Sequence, residues 1–147
     1  MNRESAALIR QLLVSMSGYV TELTPLLPLT VSVYRSPPAN RRAAERLIQP
    51  VVESAIDCGE RILDASGKTP PSTAREVFTE LERLGTIDEP LASAFARRYV
   101  GLRNRIVHDY AEIDDSQVLS AGRKLLADAA QLIRVVAAWV DSQSTQT

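Results

Sequence analysis

Apolar residues recur at three- and four-residue steps through most of this 147-residue chain, which is the spacing of one face of an α-helix. The strongest stripe contains Leu125, Leu126, Ala129, Leu132, Ile133, Val136, Trp139 and Val140. A second stripe, near the start, contains Ile9, Leu12, Leu13, Met16, Val20 and Leu23. Aromatic residues make up only 5% of the chain, so the core must rest on aliphatic side chains. These features predict one all-α domain, an up-and-down bundle of about five helices.

Prolines, glycines and capping residues set the expected limits of the helices. We expect a first helix over about 4–23 and a second over about 41–66, with Asn40 as its N-cap and a kink at Pro50. A capping box at Thr73 begins a short third helix, and Gly85 ends that helix. The connector over about 29–40 is predicted to be an extended loop or a helical turn.

Two further helices are expected in the C-terminal half. The fourth begins at Asp88 and leads towards His108, because an acidic cap and Pro90 suit the first turn of a helix. The fifth is capped by Asp114 or Asp115 and runs to about Asp141. The domain is therefore expected over residues 1–141, and residues 142–147 are expected to form a disordered polar tail.

Composition limits the chemistry and the location of the protein. The chain has one cysteine, Cys58, and one histidine, His108, which together cannot build a zinc site or an intrachain disulfide. We expect no metal and no cofactor. No apolar run approaches the ~20 residues that span a bilayer, and the N-terminus does not resemble a signal peptide, so a cytoplasmic protein without membrane contact is expected.

The stretch from Gly101 to Tyr110 holds the most informative chemistry in the chain. Histidine is the side chain that most readily exchanges protons near neutral pH, and arginine presents a planar fork that matches phosphate oxygens. A proton-transfer group beside a phosphate clamp is what cleavage of RNA without a metal ion requires. Arg103 and His108 are therefore the candidate catalytic pair, although a lone pair at this spacing is also common in structural roles.

The spacing of this pair constrains its geometry. Five helical residues rotate by about 140°, so Arg103 and His108 would point to different sides of a regular helix, whereas Asn104 and His108 share a face. Either the helix loosens near His108 or a second copy of the chain completes the site. Two helical residues rotate by about 200°, so Tyr110 would lie beside His108 only if the helix ended near His108.

Arginines are concentrated just before the candidate pair. Arg97, Arg98 and Arg105 lie on the same expected helix, while the net charge of the whole chain is −1. Because the overall charge does not attract nucleic acid, RNA binding would need a local basic patch. The run is compatible with such a patch and equally with a solvated face.

The pattern resembles the HepT-like toxins of the HEPN superfamily, which are the toxin halves of HepT/MNT toxin–antitoxin systems. The central match is Arg103-Asn104-Arg105-Ile106-Val107-His108-Asp109-Tyr110, which fits the R-x4-H-x-Y motif of that family. Flanking stretches also match, at about residues 41–57, 70–78 and 110–115. The resemblance covers about residues 40–140 well and the first helix loosely.

The resemblance implies a HEPN-like homodimer with the motifs of two chains facing one cleft. It implies the toxin of a type VII-like system, a metal-independent endoribonuclease acting on RNA, with tRNA a candidate substrate. Arg103 would hold the scissile phosphate, His108 would act as general acid and base, and Asn104 would support them. The partner would be a nucleotidyltransferase antitoxin of the MNT type, which neutralises the toxin by AMPylation of Tyr110.

Two other functions fit the same residues. The chain could be a helical binding module that engages a nucleotidyltransferase without cleaving RNA, or a purely structural adaptor. Only the motif separates the structural adaptor from the other two hypotheses. Cleavage of RNA by the unmodified protein separates the ribonuclease from the binding module.

Overall fold

The computed structural model describes residues 1–108 and 110–144, and over these residues the chain is helical, with no β-strand. The α-helices are α1 (Arg3–Leu23), α2 (Val31–Arg35), α3 (Pro38–Ala65), α4 (Ala74–Leu84), α5 (Glu89–Ser93), α6 (Val100–His108) and α7 (Asp115–Ser144). Short 3₁₀ turns cover Thr24–Leu26 and Tyr110–Glu112, and a π-helical segment covers Ala94–Tyr99. The predicted all-α fold is confirmed.

Local capping signals place several helix ends where the sequence predicts them. The Thr73 hydroxyl accepts a hydrogen bond from the amide of Glu76 at 3.2 Å, and Asp88 accepts one from the amide of Leu91 at 3.1 Å. Gly85 ends α4 with φ of 85°, a backbone conformation that glycine adopts without steric cost. These caps act within a few residues, so the local sequence is sufficient to predict them.

The core lies where α1, α3 and α7 pack together, with α4 against the other side of α3. Each predicted stripe faces this core: the buried members on α7 include Leu125, Ala129, Leu132, Val136 and Val140. On α1 they include Ile9, Leu13, Met16 and Leu23. Tertiary burial of these stripes, more than intrinsic propensity, stabilises helices of this kind. In the part of the chain that the structure describes, none of the helices has the length and apolar character needed to cross a bilayer.

The connector between the first two long helices is more helical than an extended loop. Val31–Arg35 forms the short helix α2, which buries Tyr34, so the helical-turn alternative is the correct one. The next helix begins at Pro38 with Pro37 as its N-cap, so the expected N-cap at Asn40 is wrong. Proline suits the first turn because the amide that it lacks has no partner there. The helix α3 then continues through Pro50 to Ala65.

The predicted fourth helix is a continuous helical run made of α5, the π-helical segment and α6. A π turn adds one residue to a helical turn and so rotates every later side chain by about 100° relative to an uninterrupted α-helix. The last helix, α7, reaches Ser144, past the expected end at Asp141. Residues 142–144 of the expected tail are therefore helical, and residues 145–147 lie outside the described part of the chain.

Candidate functional site

The candidate catalytic histidine occupies the last position of α6. The helix is regular from Val100 to His108, and a 3₁₀ turn begins at Tyr110, so the helix ends where the motif requires it to end. The His108 side chain is exposed, and Tyr110 is 51% exposed. Both side chains are therefore accessible to a ligand from solvent.

Arg103 lies on α6 in a different environment from His108. Its side chain is half-buried, and its Nε is shielded from solvent without a hydrogen-bond partner in the described part of the chain. Arg103 also forms no ion pair with any residue that the structure describes. Because burying a cationic donor without a partner costs free energy, this guanidinium is suited to receiving an anion.

The regular geometry of α6 decides which motif residues share a face. Over this helix Asn104 and His108 are separated by about 40° and Arg103 and His108 by about 140°. Asn104 is half-buried and lies one turn before His108, where its amide can orient the imidazole. On one chain, His108 and Asn104 therefore share a face of α6, and Arg103 starts from a different face.

The arginine run has a defined position beside α7. Arg97, Arg98 and Arg105 are all exposed and line one hollow of the surface, together with Glu89 and Asp128. The guanidinium of Arg98 lies 5.9 Å from the centre of the Tyr99 ring. The Tyr99 hydroxyl donates a hydrogen bond to Asp128. The three arginines therefore form one positive surface, with two carboxylates at one side of it.

A buried polar cluster lies behind Tyr110, and its members come from α2, α3 and the start of α7. Burial raises the pKa of the Glu45 carboxyl, and a hydrogen bond from the Tyr110 hydroxyl partly offsets that rise. Burial, Glu45 and Asp115 together raise the pKa of Tyr34, whose hydroxyl has no partner in the described structure. Through its hydrogen bond to Glu45, the exposed Tyr110 contacts this buried cluster.

Reasoning from the sequence missed two residues near the motif, one behind Tyr110 and one beside Gly101. Glu45 is a carboxylate within the apolar stripe of α3, three residues before Ile48 and seven before Val52, and this position is the signal that could have revealed it. Arg75 is the second: its Nη2 lies 3.7 Å from the point where a Cβ on Gly101 would sit. No pattern in the sequence connects Arg75 with α6.

The lone cysteine does not contribute to this site. Cys58 is buried on α3, and burial raises the pKa of its thiol to about 12. A thiol in that state supplies almost no thiolate at neutral pH and is a poor nucleophile. Among residues 1–108 and 110–144, no three His, Cys, Asp or Glu side chains are grouped so that they could hold a metal ion.

Comparison with known proteins places the chain in a family. The family model described as "Ribonuclease HepT-like" matches residues 16–136. The chain is 33% identical over 103 residues to the tRNA nuclease HepT of Aphanizomenon flos-aquae, covering 70% of this chain and 69% of that protein. It is also 33% identical over 91 residues to the mRNA nuclease HepT of Shewanella oneidensis, covering 62% of this chain and 68% of that protein.

A solved structure has the same fold over nearly the whole chain. It is the tri-AMPylated HEPN toxin of Shewanella oneidensis in complex with its MNT antitoxin, with a TM-score of 0.81 and 25% sequence identity. The alignment covers 94% of this chain and 99% of that toxin. The similarity therefore extends to the first helix, beyond the region in which the sequence motif lies.

Proposed function

Since this chain belongs to the HepT-like ribonuclease family, we propose that it is the toxin of a HepT/MNT toxin–antitoxin pair and cleaves RNA without a metal ion through Arg103 and His108. The observation that carries this proposal is that α6 ends in an exposed imidazole and also carries a half-buried guanidinium whose Nε has no hydrogen-bond partner among the described residues. The similarity to two named nucleases supports an RNA substrate.

The chemistry uses the 2′-hydroxyl of the RNA as the nucleophile. A neutral His108 imidazole removes the proton from this hydroxyl, the O2′–phosphorus bond forms, and the bond from phosphorus to O5′ breaks. A protonated His108 delivers a proton to the departing O5′. The products carry a 2′,3′-cyclic phosphate and a 5′-hydroxyl. Arg103 binds the non-bridging oxygens, whose negative charge grows in the transition state.

A second copy of the chain completes this machinery. On one protomer the positions of Arg103 and His108 lie about 140° apart around α6, which favours a site to which two chains contribute. Val107 and Tyr110 are exposed around the motif, with 45% and 51% of their surface accessible, and offer partly apolar surface for a twofold contact. Two chains would supply two imidazoles, one for each proton transfer.

Tyr110 is proposed as the site at which the antitoxin acts. The Tyr110 oxygen attacks the α-phosphate of ATP, pyrophosphate leaves, and AMP becomes attached to the tyrosine. Each AMP adds bulk and negative charge two residues from His108, which would exclude RNA from a site that receives phosphate. The AMPylated state of the similar Shewanella toxin supports this role.

Incubation of the purified protein with total tRNA in EDTA tests the ribonuclease. We expect cleavage with cyclic-phosphate ends by the wild-type protein and by Arg83→Ala, whose exposed side chain pairs with Glu80 on α4. His108→Ala and Arg103→Ala should both abolish cleavage. A wild-type protein that binds the nucleotidyltransferase but leaves total tRNA and mRNA intact would overturn the proposal in favour of a non-catalytic binding module.

A separate incubation with an MNT-type nucleotidyltransferase and ATP tests the role of Tyr110. Mass spectrometry should find one or more AMP units on Tyr110 of the wild-type protein and none on Tyr110→Phe. The Tyr110→Phe variant should keep its ribonuclease activity in the presence of antitoxin and ATP. An unmodified Tyr110 in the wild-type protein would contradict this form of control.

A further inference from the structure

A groove runs between α6 and α7 on the far side of the arginine run from Glu89. Its first hollow has a volume of about 450 Å³ and is lined mainly by Arg98, Arg105, Lys124, Ser116, Gln117 and Ser120. A second hollow of about 470 Å³ shares Ser116, Ser120 and Lys124 with the first and extends past Arg123 towards Leu29. The three shared residues follow one another at four-residue steps along the N-terminal half of α7, so the two hollows lie on either side of one stripe of that helix.

The lining of the first hollow is cationic and contains no carboxylate. Arg98, Arg105 and Lys124 form no ion pair with any residue in the described ranges, 1–108 and 110–144. At the start of α7, Asp115 is already paired with Arg35 and Arg41, and Asp114 accepts a hydrogen bond from the Ser116 amide. Unpaired cations beside neutral hydroxyl and amide groups are the donors that phosphate oxygens accept.

The hollow on the other side of Arg98 and Arg105 has a different character. There Arg97 shares the surface with Glu89 and Asp128, so two carboxylates oppose an approaching anion. The two arginines thus face one hollow with two carboxylates, towards Glu89, and one hollow without a carboxylate, towards Lys124. An anionic polymer would be favoured in the hollow that Lys124 lines.

The groove begins close to the proposed catalytic residue. Arg105 lies three residues before His108 on the regular helix α6, which is a rise of about 4.5 Å and places the two on neighbouring positions of one face. A strand with its scissile phosphate at His108 would therefore bring a flanking nucleotide to Arg105. The next phosphates along that strand would meet Lys124.

We propose that the groove formed by Arg98, Arg105 and Lys124 binds the backbone of single-stranded RNA flanking the scissile phosphate. This inference rests on the proposed ribonuclease function and adds the path by which the substrate lies on the protein. Its contacts are charge contacts to phosphate, so the groove binds RNA without regard to base sequence and with strong dependence on salt.

Binding of a fluorescent single-stranded RNA to the full chain carrying His108→Ala tests the groove, because this background cannot consume the probe. Adding Lys124→Ala should raise the dissociation constant for the RNA about threefold to tenfold. It should also reduce the salt dependence of RNA binding by the amount expected for about one phosphate contact. Lys124→Arg should restore both. The matched control is Lys68→Ala, the only other lysine, exposed in the loop before α4.

The outcomes separate this inference from the proposed function. If Lys124→Ala binds RNA as tightly as Lys68→Ala, the groove is not an RNA path, whether or not the wild-type protein cleaves RNA. If Lys124→Ala weakens binding of the nucleotidyltransferase and leaves RNA binding unchanged, the groove is a protein interface and the inference is overturned. In the otherwise wild-type chain, Lys124→Ala should raise KM for RNA about threefold or more with little change in kcat, since Lys124 does not touch the reacting atoms.

Discussion

Arg41 on α3 reaches Asp115 at the start of α7, with 3.2 Å between Nη1 and Oδ2. Arg35 on α2 approaches the same carboxylate oxygen, with its Nε at 3.4 Å. One carboxylate therefore joins three helices directly after the turn that carries Tyr110. This junction holds the end of the motif against the body of the bundle.

Removing the charge of Asp115 should destabilise the fold more than removing that of a surface acid. The Arg41 and Asp115 side chains are only 27% and 15% exposed, so Asp115→Asn should lower the free energy of unfolding by about 1–2 kcal/mol. The control is Asp141→Asn, whose pair with Arg10 has exposures of 70% and 48% and should cost less than about 0.5 kcal/mol. Urea unfolding measures both, and equal losses would contradict the prediction.

Gly59 marks the closest approach of α3 and α4. A Cβ at this position would overlap Cγ1 of Val77 and lie 3.0 Å from Cδ1 of Leu81, so Gly59→Ala should destabilise the protein by about 1–3 kcal/mol. Gly18 on α1 has open space around the same position, and Gly18→Ala should stabilise by about 0.5–1 kcal/mol. Thermal unfolding distinguishes the two signs, and a stable Gly59→Ala protein would show that the helices can separate without cost.

Glu45 should make stability depend on pH in a direction opposite to that of an ordinary surface acid. Burial raises the pKa of its carboxyl in the folded state above the value of about 4.3 in the unfolded chain. Between these two pKa values, Glu45 binds more protons in the folded protein than in the unfolded chain. The contribution of Glu45 to stability therefore falls as pH rises through that window.

Replacement of Glu45 by Gln removes this penalty. The free energy of unfolding of Glu45→Gln, relative to wild type, should increase as pH rises above about 4.3 and the wild-type carboxyl ionises. Glu53→Gln, at an exposed position of the same helix, is the matched control. Urea titrations at three pH values measure the difference, and a relative stability that falls with pH would show that ionised Glu45 stabilises the fold.

Arg103→Lys tests whether the planar guanidinium is required. Lysine keeps the charge but lacks the fork and the buried Nε, so the rate of RNA cleavage should fall about a hundredfold or more. Since Arg103 forms no ion pair with the described residues, the free energy of unfolding should change by less than about 1 kcal/mol. Wild-type cleavage by this variant would remove Arg103 from the proposed mechanism.

Local rules account for most of the fold that could be predicted. The apolar stripes, the caps at Thr73 and Asp88 and the stop at Gly85 depend on residues within one or two helical turns, and each was predicted. The predicted N-cap at Asn40 was wrong, because two consecutive prolines begin α3 earlier than the local polar signal indicates. The motif residues could also be identified from their spacing, although their catalytic roles stay predictions.

By itself, the sequence determined the helical class, most helix ends and the residues that could carry chemistry, because each depends on neighbours along the chain. Only the tertiary structure decided that Glu45 lies behind Tyr110 and that Lys124 lines a groove with Arg105. Those proximities join residues far apart in the chain, and they depend on how the helices pack. They also depend on the π-helical turn at Ala94–Tyr99, which rotates the faces of α6 before it reaches His108.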